Sequence, residues 1–114
     1  MKRVLEKLVR DEIPARLEAA GVAYEARTAS PDELGALLFA KLQEEVNELL
    51  GATSAADALD EVADILEVLA ALASRYGADE EDLRLTQRRK RDTRGGFDRG
   101  VVLCWTETPG EPGA

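Results

Sequence analysis

Two acidic pairs carry most of the chemical information in this chain of 114 residues. One pair is Glu45 and Glu48, and the other is Glu61 and Asp64. Residues three apart on a helix share one face, about one turn apart. Two such pairs on antiparallel helices bring their carboxylates together, where they repel each other and resist burial unless a hard cation joins them. Mg²⁺ and Mn²⁺ prefer oxygen ligands, so the pattern predicts a metal site in a helical hairpin.

The placement of the first pair on its helix supports this prediction. On a helical wheel, Glu45 and Glu48 fall inside the apolar stripe of their segment, and Glu44 lies at its edge. A solvated acidic face would lie on the opposite side of the helix. Acidic side chains on a buried stripe are expected to be paired or bound to a metal. The alternative interpretation is a set of surface carboxylates without a ligand.

Composition narrows the chemistry further. The net charge of −8 argues against general binding to the phosphate backbone of nucleic acids. The absence of histidine removes the usual zinc ligand and leaves carboxylates, lysines and arginines for any reaction. The single cysteine, Cys104, cannot form an internal disulfide, so we expect a reducing cytoplasm and a buried or half-buried thiol. No apolar run reaches about 18 residues, and we expect neither a membrane span nor an export signal.

Capping signals predict the helices that must position these acids. Ser30 opens a capping box, Thr53 and Ser54 cap the third helix, Asp79 caps the fourth, and a glycine follows each predicted helix. The predicted helices are a short one from Asp11 to Gly21, a second from Pro31 to about Leu50, a third from Ser54 to about Tyr76, and a fourth from Glu80 to Arg94.

These elements predict an all-α fold. We expect a helical hairpin that forms a four-helix-type bundle on oligomerisation, with short extended arms at both termini. The third helix is apolar on two sides, so we expect a second copy of the chain to cover one of them in a homodimer or tetramer. Residues 22–28 and 100–105 read as extended links or short strands. Residues 1–106 are expected to form one domain, and residues 107–114 a disordered tail.

Basic residues could hold a polyphosphate. Residues 84–94 contain six arginines and lysines against one acid, in an otherwise acidic chain. Such a cluster suits an anion, although late basic residues also suit the helix macrodipole and can simply be solvated. Lys41 has a second explanation, an ion pair with Glu45 one turn later. The candidate phosphate-binding residues are Lys7, Arg10, Lys41, Lys90, Arg91 and Arg94.

The acids also form a recognisable signature. The stretch from Glu44 to Glu48, followed after twelve residues by Glu61 to Asp64, resembles the E-E-x-x-E…E-x-x-D signature of the MazG-type all-α nucleoside triphosphate pyrophosphohydrolases. Residues 7–14 and 90–103 resemble the ends of a short single-domain branch of that superfamily. Members of this branch are described as house-cleaning pyrophosphatases or as phosphoribosyl-ATP pyrophosphohydrolase-like.

The resemblance implies a Mg²⁺-dependent enzyme that cleaves a nucleotide between its α- and β-phosphates and releases a monophosphate and pyrophosphate. It implies that non-canonical nucleotides are the substrates. The nearest alternative is the same reaction on phosphoribosyl-ATP in histidine biosynthesis. An alternative of another class is a non-catalytic helical oligomerisation or interaction module. By the resemblance, the metal ligands are Glu45, Glu48, Glu61 and Asp64, and Glu44 and Glu45 are catalytic.

Overall fold

The computed structural model describes residues 1–107 of the chain, and within this range it contains four helices and no strand. The predicted all-α fold is therefore confirmed. Within residues 1–107, every helix is too short or too polar to cross a membrane. The helices are α1 (Ile13–Ala19), α2 (Pro31–Leu50), α3 (Ala55–Arg75) and α4 (Glu80–Arg94).

Side-chain caps explain where the long helices begin. The Ser30 hydroxyl accepts a hydrogen bond from the Glu33 amide, and the Glu33 carboxylate accepts one from the Ser30 amide, so both halves of the predicted capping box form. Ser54 caps α3 through the Asp57 amide, and Asp79 caps α4. The capping signals thus predicted these three starts correctly. Helix α1 begins two residues later than predicted, because residues 11–12 form a turn.

Helices α2 and α3 form the hairpin that contains the core. Its buried apolar side chains are Leu38, Val68 and Leu72, and Leu8 from the N-terminal segment packs against them. The Arg75 guanidinium donates a hydrogen bond to the Pro31 carbonyl, which fastens the end of α3 to the start of α2. The α2–α3 hairpin therefore fixes the positions of the side chains on both helices relative to each other.

The opposite side of α3 is uncovered. Four large apolar side chains on this helix are exposed, although they satisfy the same helical periodicity as a core stripe. We call them the exposed α3 face. They are Leu59, Val62, Leu66 and Leu69.

The segments outside the helices are extended links and arms rather than strands. Residues 22–29 and 101–106 carry no regular secondary structure. The prediction that Cys104 is at least half buried is wrong, because Cys104 is exposed, as are Val102 and Leu103 beside it. The predicted disordered tail, residues 107–114, lies outside the described residues apart from Glu107.

Candidate metal centre and active site

Glu45 lies at the centre of the acidic cluster. It projects from α2 into the hairpin, and only 5% of its surface is exposed. It belongs to two sets of carboxylates, one with Glu44 and Glu48 along α2 and one with Glu61 and Asp64 across the hairpin. Within each set the potential ligand oxygens lie within 4.8 Å of one another. The hairpin therefore brings the predicted acids together, with Glu45 common to both sets.

Two oxygens of this cluster are buried without a hydrogen-bond donor. Among the described residues, Glu45 Oε2 and Glu61 Oε2 are the buried side-chain polar atoms that have no hydrogen-bond donor while both acids are ionised. Burying an unpaired carboxylate oxygen is unfavourable, and buried polar atoms are normally satisfied. A cation between α2 and α3 would satisfy both oxygens. The residues present thus fit a divalent metal ion with oxygen ligands.

Like charges in the cluster alter its protonation. The pKa of Glu61 is raised to about 7, first because a hydrogen bond to Glu45 favours its protonated form and next because of burial. A hydrogen bond to Glu48 and repulsion from both acids act in the same direction. The carboxylates therefore cannot all ionise freely without a compensating positive charge.

Two lysines supply part of that charge on the α2 side. Lys41 Nζ lies 3.3 Å from Glu45 Oε1 and 3.5 Å from Glu44 Oε2. Lys7 Nζ lies 2.9 Å from Glu44 Oε1. These contacts, chiefly the hydrogen bond from Lys7, lower the pKa of Glu44. Glu44 is therefore ionised at neutral pH and is able to accept a hydrogen bond.

An arginine supplies charge on the α3 side. Arg10 Nη2 lies 2.6 Å from Asp64 Oδ1. The sequence predicted that Lys7, Arg10 and Lys41 bind phosphate, and the structure places all three against the acids. The pairings of Lys7 and Arg10 were not predicted, because they join residues 37 and 54 positions apart. The only signal for them in the sequence was the need of a crowded acidic site for nearby cations.

The remaining predicted residues are more exposed than Glu45, and those of α4 lie outside the acidic cluster. Glu48 is exposed, although its wheel position predicted an apolar environment. Lys90, Arg91 and Arg94 lie on exposed positions at the end of α4, which contacts α3 and no other helix within residues 1–107. Within the same range, Lys90 and Arg91 form no ion pair with the acidic cluster.

An open cavity adjoins the cluster at the turn between α2 and α3. Its volume is about 410 Å³, within the usual range for small-molecule sites. Asp57 and Asp60 line it and were not among the predicted site residues. Their spacing before Glu61 and Asp64, about one turn along α3, was the signal that could have identified them. The lining residues are Glu48, Gly51, Ala52, Thr53, Asp57, Asp60 and Glu61.

The comparisons with known proteins agree with this arrangement. Residues 4–90, well over half of the chain, match the family described as phosphoribosyl-ATP pyrophosphohydrolase (PRA-PH), which is part of the MazG-like all-α superfamily. No curated protein and no solved structure gives a significant match to the chain. The family hydrolyses phosphoric anhydride bonds with the help of a divalent metal, and the matched range contains the whole acidic cluster. The chain therefore belongs to the phosphoribosyl-ATP pyrophosphohydrolase family and is a pyrophosphohydrolase of the MazG-like superfamily.

Proposed function

We propose that this protein hydrolyses the α–β phosphoric anhydride of phosphoribosyl-ATP, the reaction of histidine biosynthesis, and releases pyrophosphate. The family match over residues 4–90 supports this substrate more closely than any other. The observation that carries the reaction is the convergence of Glu45, Glu61 and Asp64 across the α2–α3 hairpin, with one oxygen of each within 4.8 Å of the others. Glu45 and Glu61 each also bury an oxygen that has no donor when both are ionised.

We propose Mg²⁺, with Mn²⁺ as a substitute, as the metal of this site. Oxygen ligands without histidine or cysteine suit these hard cations. When bound, such an ion neutralises phosphate charge and lowers the pKa of water. The residues proposed to hold it are Glu45, Glu48, Glu61 and Asp64.

Glu44 and Glu45 are the proposed catalytic carboxylates. Lys41 holds the ionised Glu44 in place, where it can orient the attacking water. The water oxygen forms a new bond to phosphorus, the bridging P–O bond breaks, and a carboxylate takes the proton. Basic side chains stabilise the negative charge that develops on the departing pyrophosphate. The candidates for this role are Lys7, Arg10, Lys41, Lys90, Arg91 and Arg94.

A second substrate class shares the same chemistry. Residues 91–103 lie beyond the matched range. The two flanks, residues 7–14 and 90–103, resemble the ends of the short branch whose members are described as house-cleaning pyrophosphatases or as phosphoribosyl-ATP pyrophosphohydrolase-like. On this alternative the enzyme clears non-canonical nucleoside triphosphates. The acids and the metal would serve both substrates equally, so the distinction depends on the cavity and the flanking segments.

Self-association is part of the proposal. The exposed α3 face and the small core of a single hairpin favour a homodimer or tetramer with a four-helix core.

An assay of pyrophosphate release separates the possibilities. Purified protein would be given phosphoribosyl-ATP and a panel of canonical and damaged nucleoside triphosphates, each with Mg²⁺ and with EDTA. We expect the highest kcat/KM for phosphoribosyl-ATP and no turnover in EDTA. Higher values for damaged triphosphates would favour the house-cleaning alternative. Failure of a folded protein to hydrolyse any of them with Mg²⁺ or Mn²⁺ would favour a non-catalytic helical module.

A further inference from the structure

The N-terminal segment crosses the acidic cluster as a strap with one charged end on each helix. Lys7 pairs with Glu44 of α2 at 2.9 Å, and Arg10 pairs with Asp64 of α3 at 2.6 Å. Between them, Leu8 packs against the buried core of the hairpin. We call residues 7–10 the strap. Residues 1–10 form no helix of their own, so these three contacts are what join the strap to the hairpin.

The strap occupies carboxylates that belong to the candidate metal site. Asp64 is one of the acids grouped with Glu45 and Glu61, and Glu44 is grouped with Glu45. A guanidinium and a divalent cation compete for the same negative charge. The Arg10–Asp64 pair is open to solvent, with side-chain exposures of 54% and 39%. Exposed ion pairs of this kind are weak, so a divalent cation can displace Arg10.

The displaced side chains, Arg10 and Lys7, suit the phosphates of the substrate. Arginine presents planar, paired donors that match a phosphate group, and lysine contributes a compact positive charge. The same two side chains are thus able to neutralise the acids at one stage and the polyphosphate at another. Lys41 differs, because its side chain is only 18% exposed and it is built into α2 between its acidic partners.

We propose that Arg10 and Lys7 exchange partners during the reaction cycle. They bind Asp64 and Glu44 until a divalent cation enters the cluster and takes Asp64, and they then bind the phosphates of the substrate. Metal binding therefore comes first and creates the phosphate site. This inference rests on the proposed function, since it takes the acidic cluster to be the metal site.

The exchange predicts effects of opposite sign for one substitution. Arg10→Ala removes a competitor of the metal and also removes a ligand of the phosphates. The variant should bind Mn²⁺ more tightly and inorganic pyrophosphate more weakly. A residue that merely holds Asp64 in position for the metal would have the opposite effect on Mn²⁺ binding, because loss of such a partner loosens the ligand.

The test measures Mn²⁺ binding by electron paramagnetic resonance and pyrophosphate binding by calorimetry at saturating Mn²⁺. For Arg10→Ala we expect Mn²⁺ binding about two- to fivefold tighter and pyrophosphate binding about ten- to a hundredfold weaker. Arg10→Lys, which keeps the charge, should restore part of both values. Arg16→Ala is the matched control, since Arg16 is an exposed arginine of α1 that forms no ion pair within residues 1–107.

Proteolysis of the wild-type protein gives an independent measurement. Trypsin cleaves after arginine, so the rate of cleavage after Arg10, followed by mass spectrometry, reports the release of the strap. We expect Mn²⁺ alone to accelerate this cleavage and added pyrophosphate to slow it again. An unchanged rate would count against the exchange.

The outcomes separate the exchange from the proposed function. If the wild-type protein neither binds Mn²⁺ nor hydrolyses a nucleotide, the proposed function itself fails. If it does both, but Arg10→Ala weakens Mn²⁺ binding or leaves both affinities unchanged, the exchange alone is wrong.

Discussion

At the scale of single residues, Glu45 joins the two halves of the site. It is nearly buried, one of its oxygens contacts Lys41, and the other has no hydrogen-bond donor within the described residues while the cluster is ionised. A carboxylate in that position is unfavourable for folding unless a ligand compensates for it. Its position is therefore explained by function more readily than by stability.

Removal of the charge at this position tests its role in turnover. We expect Glu45→Gln and Asp64→Asn to lower kcat at least about a hundredfold, because metal-based stabilisation of the transition state amounts to several kcal/mol. Thermal unfolding in EDTA should show that both variants remain folded. Compared with wild type, Glu45→Gln should gain more stability than Asp64→Asn, since it relieves repulsion at the centre of the cluster. Wild-type rates in either variant would remove that residue from the site.

The protonation of Glu61 predicts a pH dependence of stability. Its pKa is raised from the ordinary value of 4.5 to about 7 in the folded protein. Between these two values the folded state binds more protons than the unfolded state, so the free energy of unfolding falls as pH rises. In EDTA, denaturant titrations at several pH values from 5 to 8 should show this decline, and Glu61→Gln should reduce it. A wild-type slope that Glu61→Gln leaves unchanged would contradict the assignment.

At the scale of elements, the bounds of the long helices followed from local chemistry. Ser30, Ser54 and Asp79 satisfy backbone amides at the three starts, and such caps are visible in any sequence. The face that Glu45 occupies also followed from periodicity. The strap did not, because its place depends on contacts with residues distant in the sequence. The side of α3 that meets α2 was equally ambiguous, since both of its sides are apolar.

Helix α4 offers a test between phosphate binding and a solvated helix end. If its last turn holds the substrate, Lys90→Ala, Arg91→Ala and Arg94→Ala should each lower kcat/KM about ten- to a hundredfold, the value of a charge-assisted contact. The matched controls are Arg84→Ala and Arg88→Ala, earlier on the same helix, which should remain within about twofold of wild type. Equal and small effects at all five positions would assign the phosphate contacts to Lys7, Arg10 and Lys41.

At the scale of the whole molecule, a single chain is more open than a compact domain of its length. Its radius of gyration is 18.6 Å, against about 13 Å for a compact domain of this length. It exposes 10130 Å², against about 6100 Å² for a folded monomer of its mass. Apolar side chains after α4 are exposed as well as the exposed α3 face. Phe97 and Trp105 are among them. A second copy is the simplest source of the missing cover.

This openness predicts an oligomer in solution. We expect light scattering at micromolar concentration to give a dimer or tetramer, because the exposed α3 face should be buried between copies. Val62→Glu, which places a charge on this face, should shift the protein towards the monomer. Val22→Glu is the matched control, since both valines are about half exposed and Val22 lies outside the helices. A wild-type mass near 12.4 kDa would contradict the prediction.

The central claim is that the acidic cluster of the α2–α3 hairpin holds the divalent cation of a pyrophosphohydrolase. Direct measurement of Mn²⁺ binding to the wild-type protein and to Glu45→Gln, by electron paramagnetic resonance with Mg²⁺ as competitor, tests it without reference to any substrate. We predict saturable binding to the wild type, displacement by Mg²⁺, and an affinity at least about tenfold lower in Glu45→Gln. Equal affinity in the two proteins would place the metal elsewhere and contradict the claim.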